Sequence, residues 1–221
     1  MHKDRPAPSS TYVLVQVTGL VLFLLFSLAL ASTARAAEQP SDFVSRIGHQ
    51  ATAIITDANL SRGDRQRAFQ HMLHDYFDVE LIGRFVLGRH WRSATPDERR
   101  AFLATFEAYV LTTYSRKLES YAGETLEVGR AQDKGRHGVI VPSVLHRPQG
   151  APLTVHWRLR QVGDSWRVFD IVVEGVSMVV THRNEIDTVL RQSGGFAGLL
   201  DSLRAMLARI GGPEAIQASK L

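Results

Sequence analysis

The spacing of apolar residues changes once along this chain, from the helical period to the strand period. Through residues 43–118 apolar residues recur every three or four positions. Further on, Leu153, Val155, Trp157 and Leu159 alternate with polar residues, which is the pattern of an antiparallel strand with one wet face. Helices followed by a run of strands predict an α+β fold rather than alternating βαβ units.

Three helices are predicted before residue 90. The first covers residues 43–55 with a possible N-cap at Ser41, and Arg62-Gly63-Asp64 breaks its pattern. The second covers residues 69–77 and leads into a third at residues 79–87.

The clearest helix start is a capping box at Thr95, Pro96 and Glu98. This helix is predicted to run from Pro96 to about Tyr121 and to stop at Gly123. One broad face carries Phe102, Phe106, Tyr109, Val110, Tyr114, Leu118 and Tyr121. So much aromatic and apolar surface on one element can fill a core or line a cavity.

About four strands are predicted to form a curved antiparallel sheet preceded by helices. They cover residues 126–131, 138–145, 153–159 and 166–173. A tight turn at Gly163-Asp164 joins the last two. Pro142 lacks an N–H and is expected at a sheet edge or a bulge.

Two more helices are predicted after the sheet. The first covers residues 181–192 and ends at Gly194-Gly195. The second covers residues 196–210 and is either docked on the body or a movable, partner-binding element. Residues 211–221 are expected to form a flexible tail.

The N-terminus predicts export. Lys3 and Arg5 precede an apolar core at residues 20–31, and Ala34-Arg35-Ala36 follows with the small residues that a signal peptidase reads. We expect residues 1–36 to be a signal peptide and the mature chain to start at Ala37. The alternative is a membrane anchor at residues 13–31, which approaches the length of a span.

Composition narrows the possible partners of the mature chain. Removing residues 1–36 takes away three basic residues and one acidic residue, which lowers the formal net charge from +4 to +2. With no run of basic residues and interleaved aromatics, we expect no nucleic-acid partner. The chain contains no cysteine, which excludes disulfides, thiolate metal sites and a lipidated N-terminal cysteine. Residues 37–210 suffice for one domain with a single core and an internal cavity.

Two constellations suggest chemistry only weakly. His71 and His74 could face one side of a helix beside Asp75, but a metal site needs a third ligand that the sequence does not identify. Ser177 lacks the second glycine and the sharp strand-to-helix signature of a nucleophile elbow. We therefore predict no metal and no cofactor.

A small acid/base enzyme is the more serious alternative. Asp170 lies between Phe169 and Ile171, where a carboxylate could be held among apolar residues as a general base, and Glu174 is the second candidate. A strand carboxylate near Arg158 or Arg167 is more often a paired structural group. We therefore predict that Asp170 orients strands and that the protein is not an enzyme.

Four sequence blocks between Phe77 and Leu203 resemble the MlaC, or toluene-tolerance, family of periplasmic lipid carriers. These blocks are Phe85-Val86-Leu87-Gly88, Ser93-Ala94-Thr95-Pro96, Val141-Pro142 and Glu174-Gly175-Val176-Ser177-Met178. Residues 157–160 and 185–195 look similar to a subgroup linked with hopanoid biosynthesis. The resemblance implies a fold like the nuclear-transport-factor cone with extra helices.

The resemblance also implies a function. Such proteins hold a phospholipid by its acyl tails and pass it between an outer-membrane lipoprotein complex and an inner-membrane ABC transporter of MCE type. We expect a monomeric periplasmic carrier whose ligand is a phospholipid, with a hopanoid as the alternative. The residues expected to contact lipid are Val86, Phe106, Tyr109, Val110, Tyr114, Val141, Trp157, Ile171, Val173, Val176 and Met178.

Overall fold

A computed structural model of the protein describes residues 38–118 and 121–211, with side chains placed for all but residues 115–118 and 211. The expected signal peptide and residues 212–221 of the expected tail lie outside the described residues. Across the described ranges, no helix is both long and apolar enough to span a membrane.

The described part of the chain contains seven α-helices. They are α1 (Pro40–Thr56), α2 (Arg62–Tyr76), α3 (Val79–Leu87), α4 (His90–Ser93), α5 (Pro96–Leu118), α6 (Met178–Gln192) and α7 (Phe196–Gly211). The predicted helices all correspond to helices of the structure, while the single turn α4 was not predicted. The capping box is confirmed, since Oγ1 of Thr95 accepts from the Glu98 N–H at 3.2 Å and Glu98 accepts from the Thr95 N–H at 2.7 Å.

Six strands in the described residues form one antiparallel sheet, which confirms the α+β prediction. They are β1 (Thr125–Val128), β2 (Gln132–Asp133), β3 (Val139–His146), β4 (Leu153–Val162), β5 (Ser165–Val173) and β6 (Val176–Ser177). The order is β1-β3-β4-β5-β6, and β2 also pairs with β3. The four longer strands correspond to the four predicted ones, and the two short strands are additional.

Pro142 lies in β3 opposite the break between β1 and β2. Its carbonyl accepts from the Gly129 N–H at 2.8 Å, so the position where its own N–H would stand faces the same break. The missing donor therefore leaves no ladder bond unmade.

Three local predictions need correction. Ser41 does not cap α1, which starts at Pro40; its hydroxyl donates to the Gly129 carbonyl at 3.0 Å instead. Arg62-Gly63-Asp64 does not merely end a helix but forms the first turn of α2, because Ser61 accepts from the Asp64 N–H. The helix predicted from Thr181 begins at Met178, directly after β6, because Ser177 caps it.

Two buried apolar clusters position the candidate site. The first, called the sheet cluster, joins α1 and the end of α2 to one face of the sheet, called the inner face. Its buried members are Phe43, Val44, Ile47, Tyr76, Val141, Leu159 and Val168. The second, called the helix cluster, joins α3, α5, α6 and α7 through Val86, Leu87, Phe102, Phe106, Val179, Ile186, Leu190, Leu199, Leu200 and Leu203.

Candidate functional site

The inner face of the sheet brings together four of the residues expected to contact lipid. Antiparallel register places Val141 of β3, Trp157 of β4 and Ile171 of β5 in one row. The adjacent row contains Ser143, Val155 and Val173. The two rows share the inner face, because alternate residues of each strand point to the same side. Apart from Ser143, both rows are apolar.

Burial decreases along both rows from β3 towards β5. Val141 is 0% exposed and Ser143 is 3% exposed, whereas Trp157, Ile171 and Val173 are only partly buried. Among the described residues, the sheet continues beyond β5 only as the two-residue strand β6. The inner face therefore opens towards β5 and β6, where Val176 is 54% exposed.

A hydrogen-bond chain fixes the indole of Trp157 on this face. Its Nε1 donates to Oγ of Ser143 at 3.0 Å, and the Ser143 hydroxyl donates to the Val155 carbonyl at 3.0 Å. The indole N–H and the buried hydroxyl are both satisfied, so the ring presents its apolar surface in a defined orientation. Sequence reasoning missed Ser143; the available signal was one polar residue at an inward position between Val141 and Leu145.

The long helix α5 presents aromatic rings around His182 of α6. Phe106, Tyr109 and Tyr114 each meet the imidazole edge-on, with ring centroids 5.8, 6.2 and 6.1 Å away. Phe106 also stacks on Phe102 at 5.4 Å. His182 was not predicted, although its position four residues after Met178 put it on the same side of the new helix.

Each ring nitrogen of His182 lies within hydrogen-bond distance of one side-chain oxygen. Its Nε2 lies 3.1 Å from the phenol oxygen of Tyr114, and its Nδ1 lies 2.9 Å from Oε2 of Glu185. Burial raises the pKa of the Tyr109 and Tyr114 phenols, and the negative charge of Glu185 raises both further. Both phenols are therefore neutral hydrogen-bonding groups near pH 7.

Tyr114 and Met178 connect the aromatic group to the open edge of the inner face. The Tyr114 phenol oxygen lies 3.8 Å from Sδ of Met178. Met178 starts α6 directly after β6, whose Val176 pairs with Val173 of β5. Tyr114 of α5 thus contacts the first residue of α6, which follows directly on β6 at the edge where the inner face opens.

The other residues expected to contact lipid lie apart from this opening. Val86 and Phe106 are fully buried in the helix cluster, and Val110 packs against it. Tyr109 also lines a cleft of about 450 Å³ with residues of α6 and α7. The predicted set therefore divides between the inner face and the helix cluster, with Tyr114 and Met178 between them.

Asp170 and Ser177 are both engaged in structural bonds at the β5–α6 junction. Asp170 is 4% exposed and accepts from Nη1 of Arg158 at 3.2 Å, Oγ of Ser177 at 2.7 Å and the Val179 N–H at 3.2 Å. The predicted pairing with Arg158 is confirmed. Arg167 instead donates to the backbone carbonyls of α2.

Ser177 requires a further correction, because it does lie at a sharp strand-to-helix junction. Its Oγ accepts from the Val180 N–H at 3.1 Å while donating to Asp170, so the hydroxyl is a helix cap. His74, from the weak metal constellation, lies 2.8 Å from Oε1 of Glu107. In the described ranges no group of three or more His, Cys, Asp or Glu side chains is placed to hold a metal ion.

Comparison with known proteins adds evolutionary information to this geometry. The sequence model of the family described as MlaC protein matches residues 46–205. The chain is 25% identical over 187 residues to the intermembrane phospholipid transport system binding protein MlaC of Haemophilus influenzae, covering 77% of this chain and 86% of that protein. It is 22% identical over 129 residues to toluene tolerance protein ttg2D of Pseudomonas putida, covering 58% and 60% of the two chains.

A solved structure has the same fold. It is the phospholipid-binding protein from Ralstonia solanacearum in complex with a phospholipid, with a TM-score of 0.69 and 21% sequence identity. The superposition covers 78% of this chain and 99% of that one.

Proposed function

This chain belongs to the MlaC protein family, and on that premise we propose that it carries a phospholipid between membranes. The acyl tails would lie against the apolar inner face of the sheet and enter beside Tyr114 and Met178. The polar head would stay at the opening, in contact with water. Membership in this family also supports the prediction of a lipid-binding protein that is not an enzyme.

The observation that carries this proposal is the loss of burial along the inner face. Trp157, Ile171 and Val173 are apolar, lie on the inner face of the sheet and remain partly exposed. Leaving such surface in water is unfavourable by about 25 cal/mol per Å². An acyl chain removes this surface from water without needing any hydrogen-bond partner.

Energetics explain why such a carrier works without a nucleotide or cofactor of its own. Burying about 30 methylenes of two tails is worth roughly 25 kcal/mol relative to water, at ~0.8 kcal/mol each. A bilayer offers nearly the same free energy, so loading from a membrane is close to neutral. Direction must come from partners, for which we propose an inner-membrane ABC transporter complex of MCE type and an outer-membrane lipoprotein complex.

Phospholipid is the ligand class that the comparisons favour. The H. influenzae relative is named for phospholipid transport, and the R. solanacearum structure contains a phospholipid. Nothing in the comparisons supports the hopanoid-associated subgroup. We therefore propose a glycerophospholipid carrier that acts as a monomer in the periplasm after removal of residues 1–36.

Native mass spectrometry of the purified mature protein tests this proposal. We expect the protein to retain a mass increment that lipid extraction and fragmentation identify as glycerophospholipid. Protein that is free of lipid after expression in cells, and that fails to extract lipid from vesicles, would contradict it. An extracted hopanoid would correct the ligand class while preserving the carrier function.

A further inference from the structure

A groove of about 440 Å³ on the outside of α3, α4 and α6 is lined by four arginines. They are Arg84, Arg89, Arg92 and Arg183, and Phe85 and Trp91 contribute aromatic surface. On α3 this arginine groove lies on the opposite side from the buried residues Val86 and Leu87. Nothing in the proposed lipid cavity uses it.

The arginine groove carries uncompensated positive charge. Among the described residues, the guanidinium groups of Arg84, Arg92 and Arg183 form no ion pair, and no carboxylate lines the groove. Arg89 lies 3.5 Å from Asp187, but that carboxylate is shared with Arg191 at 2.9 Å. Three arginines without an ion pair among the described residues therefore face one groove.

Arg183 is held in place by two residues of the Phe85–Gly88 block. Its guanidinium carbon lies 5.2 Å from the centre of the Phe85 ring. Gly88 has φ +55, and a Cβ at this position would stand 3.0 Å from Nη2 of Arg183. A side chain at residue 88 would therefore shift the guanidinium by a few tenths of an ångström and would strain the backbone, whose φ favours glycine.

Exposed apolar side chains stand beside these cations. Phe85 and Val180 are both 44% exposed, and Val180 lies one turn before Arg183 on α6. Exposed aromatic and aliphatic groups flanked by basic residues are the arrangement by which surface helices enter the headgroup region of a bilayer. A guanidinium also binds phosphate through two parallel hydrogen bonds.

We infer that the arginine groove docks this protein on a bilayer containing anionic phospholipids. The arginines bind lipid phosphate groups while Phe85 and Val180 enter the headgroup region. An acidic protein surface would also supply negative charge for the arginines. It would not by itself account for the exposed apolar side chains beside them, which a bilayer removes from water. This inference stands apart from the lipid cavity, because it concerns a different surface.

The test is flotation of the mature protein with vesicles of phosphatidylcholine alone, or of equal parts phosphatidylcholine and phosphatidylglycerol. We expect binding only to the anionic vesicles, and its loss at high salt. The double variant Arg84→Gln/Arg92→Gln should bind about 30-fold more weakly, as expected when two arginines leave an anionic surface. The matched control Arg136→Gln/Arg209→Gln removes two exposed arginines outside the groove and should change binding less than about threefold.

A further variant separates positioning from charge. Phe85→Ser keeps every charge but removes the ring beside Arg183, and it should weaken binding while circular dichroism remains that of the wild type. Equal weakening in the groove and control pairs would overturn the inference. So would displacement by millimolar glycerol 3-phosphate, which would assign the groove to soluble phosphates.

The remaining outcomes distinguish this inference from the proposed function. The groove variants could instead bind vesicles as the wild type does but lose lipid transfer to membrane protein complexes. That result would assign the groove to an acidic protein and overturn the inference that it binds a bilayer. Lipid occupancy is measured in the same samples by native mass spectrometry. Groove variants that keep their bound lipid but no longer bind vesicles support the role of the arginine groove. A protein that binds vesicles but contains no lipid refutes only the proposed lipid carriage on the inner face.

Discussion

Oδ2 of Asp170 lies 3.2 Å from Nη1 of Arg158 across the β4–β5 pair. The same oxygen accepts from Ser177, and the other carboxylate oxygen accepts from the Val179 N–H. One buried carboxylate therefore joins two strands to the start of α6, which carries Met178 and His182. This junction fixes the edge at which the inner face opens.

Replacing this carboxylate should affect stability rather than chemistry. Asp170→Asn removes the charge and presents an N–H₂ where two donors converge, so we expect the free energy of unfolding to fall by about 2 kcal/mol. Lipid transfer between vesicles should fall only as far as the folded fraction does. Asp164→Asn, in the exposed turn after β4, is the control that should leave both unchanged.

A catalytic Asp170 would give a different result. The variant would then fold, retain its lipid and lose a chemical conversion of that lipid, because a general base typically contributes ~10²–10⁴-fold to rate. Chromatography of lipid recovered from the wild type and the variant distinguishes these cases. Conversion in the wild type alone would refute the carrier.

Ser143 and Trp157 should be energetically coupled. Ser143→Ala leaves the indole N–H without its acceptor, and we expect a loss of about 1 kcal/mol in unfolding free energy. Trp157→Phe removes the donor, and the double variant should lose less than the sum of the two single losses. Urea unfolding of the four proteins measures this coupling, and additive losses would show that the hydrogen bond does not stabilise the inner face.

The raised pKa values of Tyr109 and Tyr114 predict loss of stability in alkali. Each phenol ionises less readily in the folded protein than in the unfolded chain, whose tyrosine pKa is about 10. Their contribution is therefore present below about pH 10 and is lost as pH rises through the folded-state pKa. Tyr114→Phe should show a smaller loss of unfolding free energy above this pH.

Ultraviolet difference absorbance of the phenolates checks the same point directly. The titration of the wild type should contain a late component that Tyr114→Phe reduces. Tyrosines that all titrate together near the ordinary value would show that the aromatic group is open to water.

Predicting the fold from sequence worked best where one local signal determined the structure. Thr95 and Glu98 satisfy each other's backbone groups within four residues, and Gly163-Asp164 leaves the chain only a tight turn. The pairing of Asp170 with Arg158 did not follow from the hairpin turn alone. The register set by the turn would place Phe169 opposite Arg158, and a bulge between Arg158 and Leu159 brings Asp170 there instead. By contrast, Ser41 matched a helix cap but bonds to Gly129, a partner distant in sequence.

The candidate site was predictable only in part, for a similar reason. Alternation groups Val155 with Trp157 and Ile171 with Val173, but only the bulge after Arg158 sets these two pairs on one face. Alternation also could not show that burial decreases towards β5. Aromatic residues of α5 were recognised, while their common neighbour His182 was not. A helical period shows which residues share a face, but the element that covers this face is set by packing of distant segments.

Processing of the N-terminus is a separate prediction. The apolar core at residues 20–31 is short and is followed by Ala34-Arg35-Ala36. N-terminal sequencing of the exported protein should therefore begin at Ala37. Recovery of the uncut chain from the membrane fraction would favour the anchor at residues 13–31.

The central claim is that acyl tails lie against the inner face, and lipid retention by Val173→Asp tests it most directly. An unpaired carboxylate in contact with acyl tails is strongly unfavourable. The matched control is Val162→Asp, which places the same charge on an exposed valine of β4, and Met178→Asp is a second variant at the opening. All three variants should give the circular dichroism spectrum of the wild type. Native mass spectrometry should then show no lipid retained by Val173→Asp and Met178→Asp, while Val162→Asp retains the full amount. Wild-type lipid occupancy in both folded variants, Val173→Asp and Met178→Asp, would contradict the account.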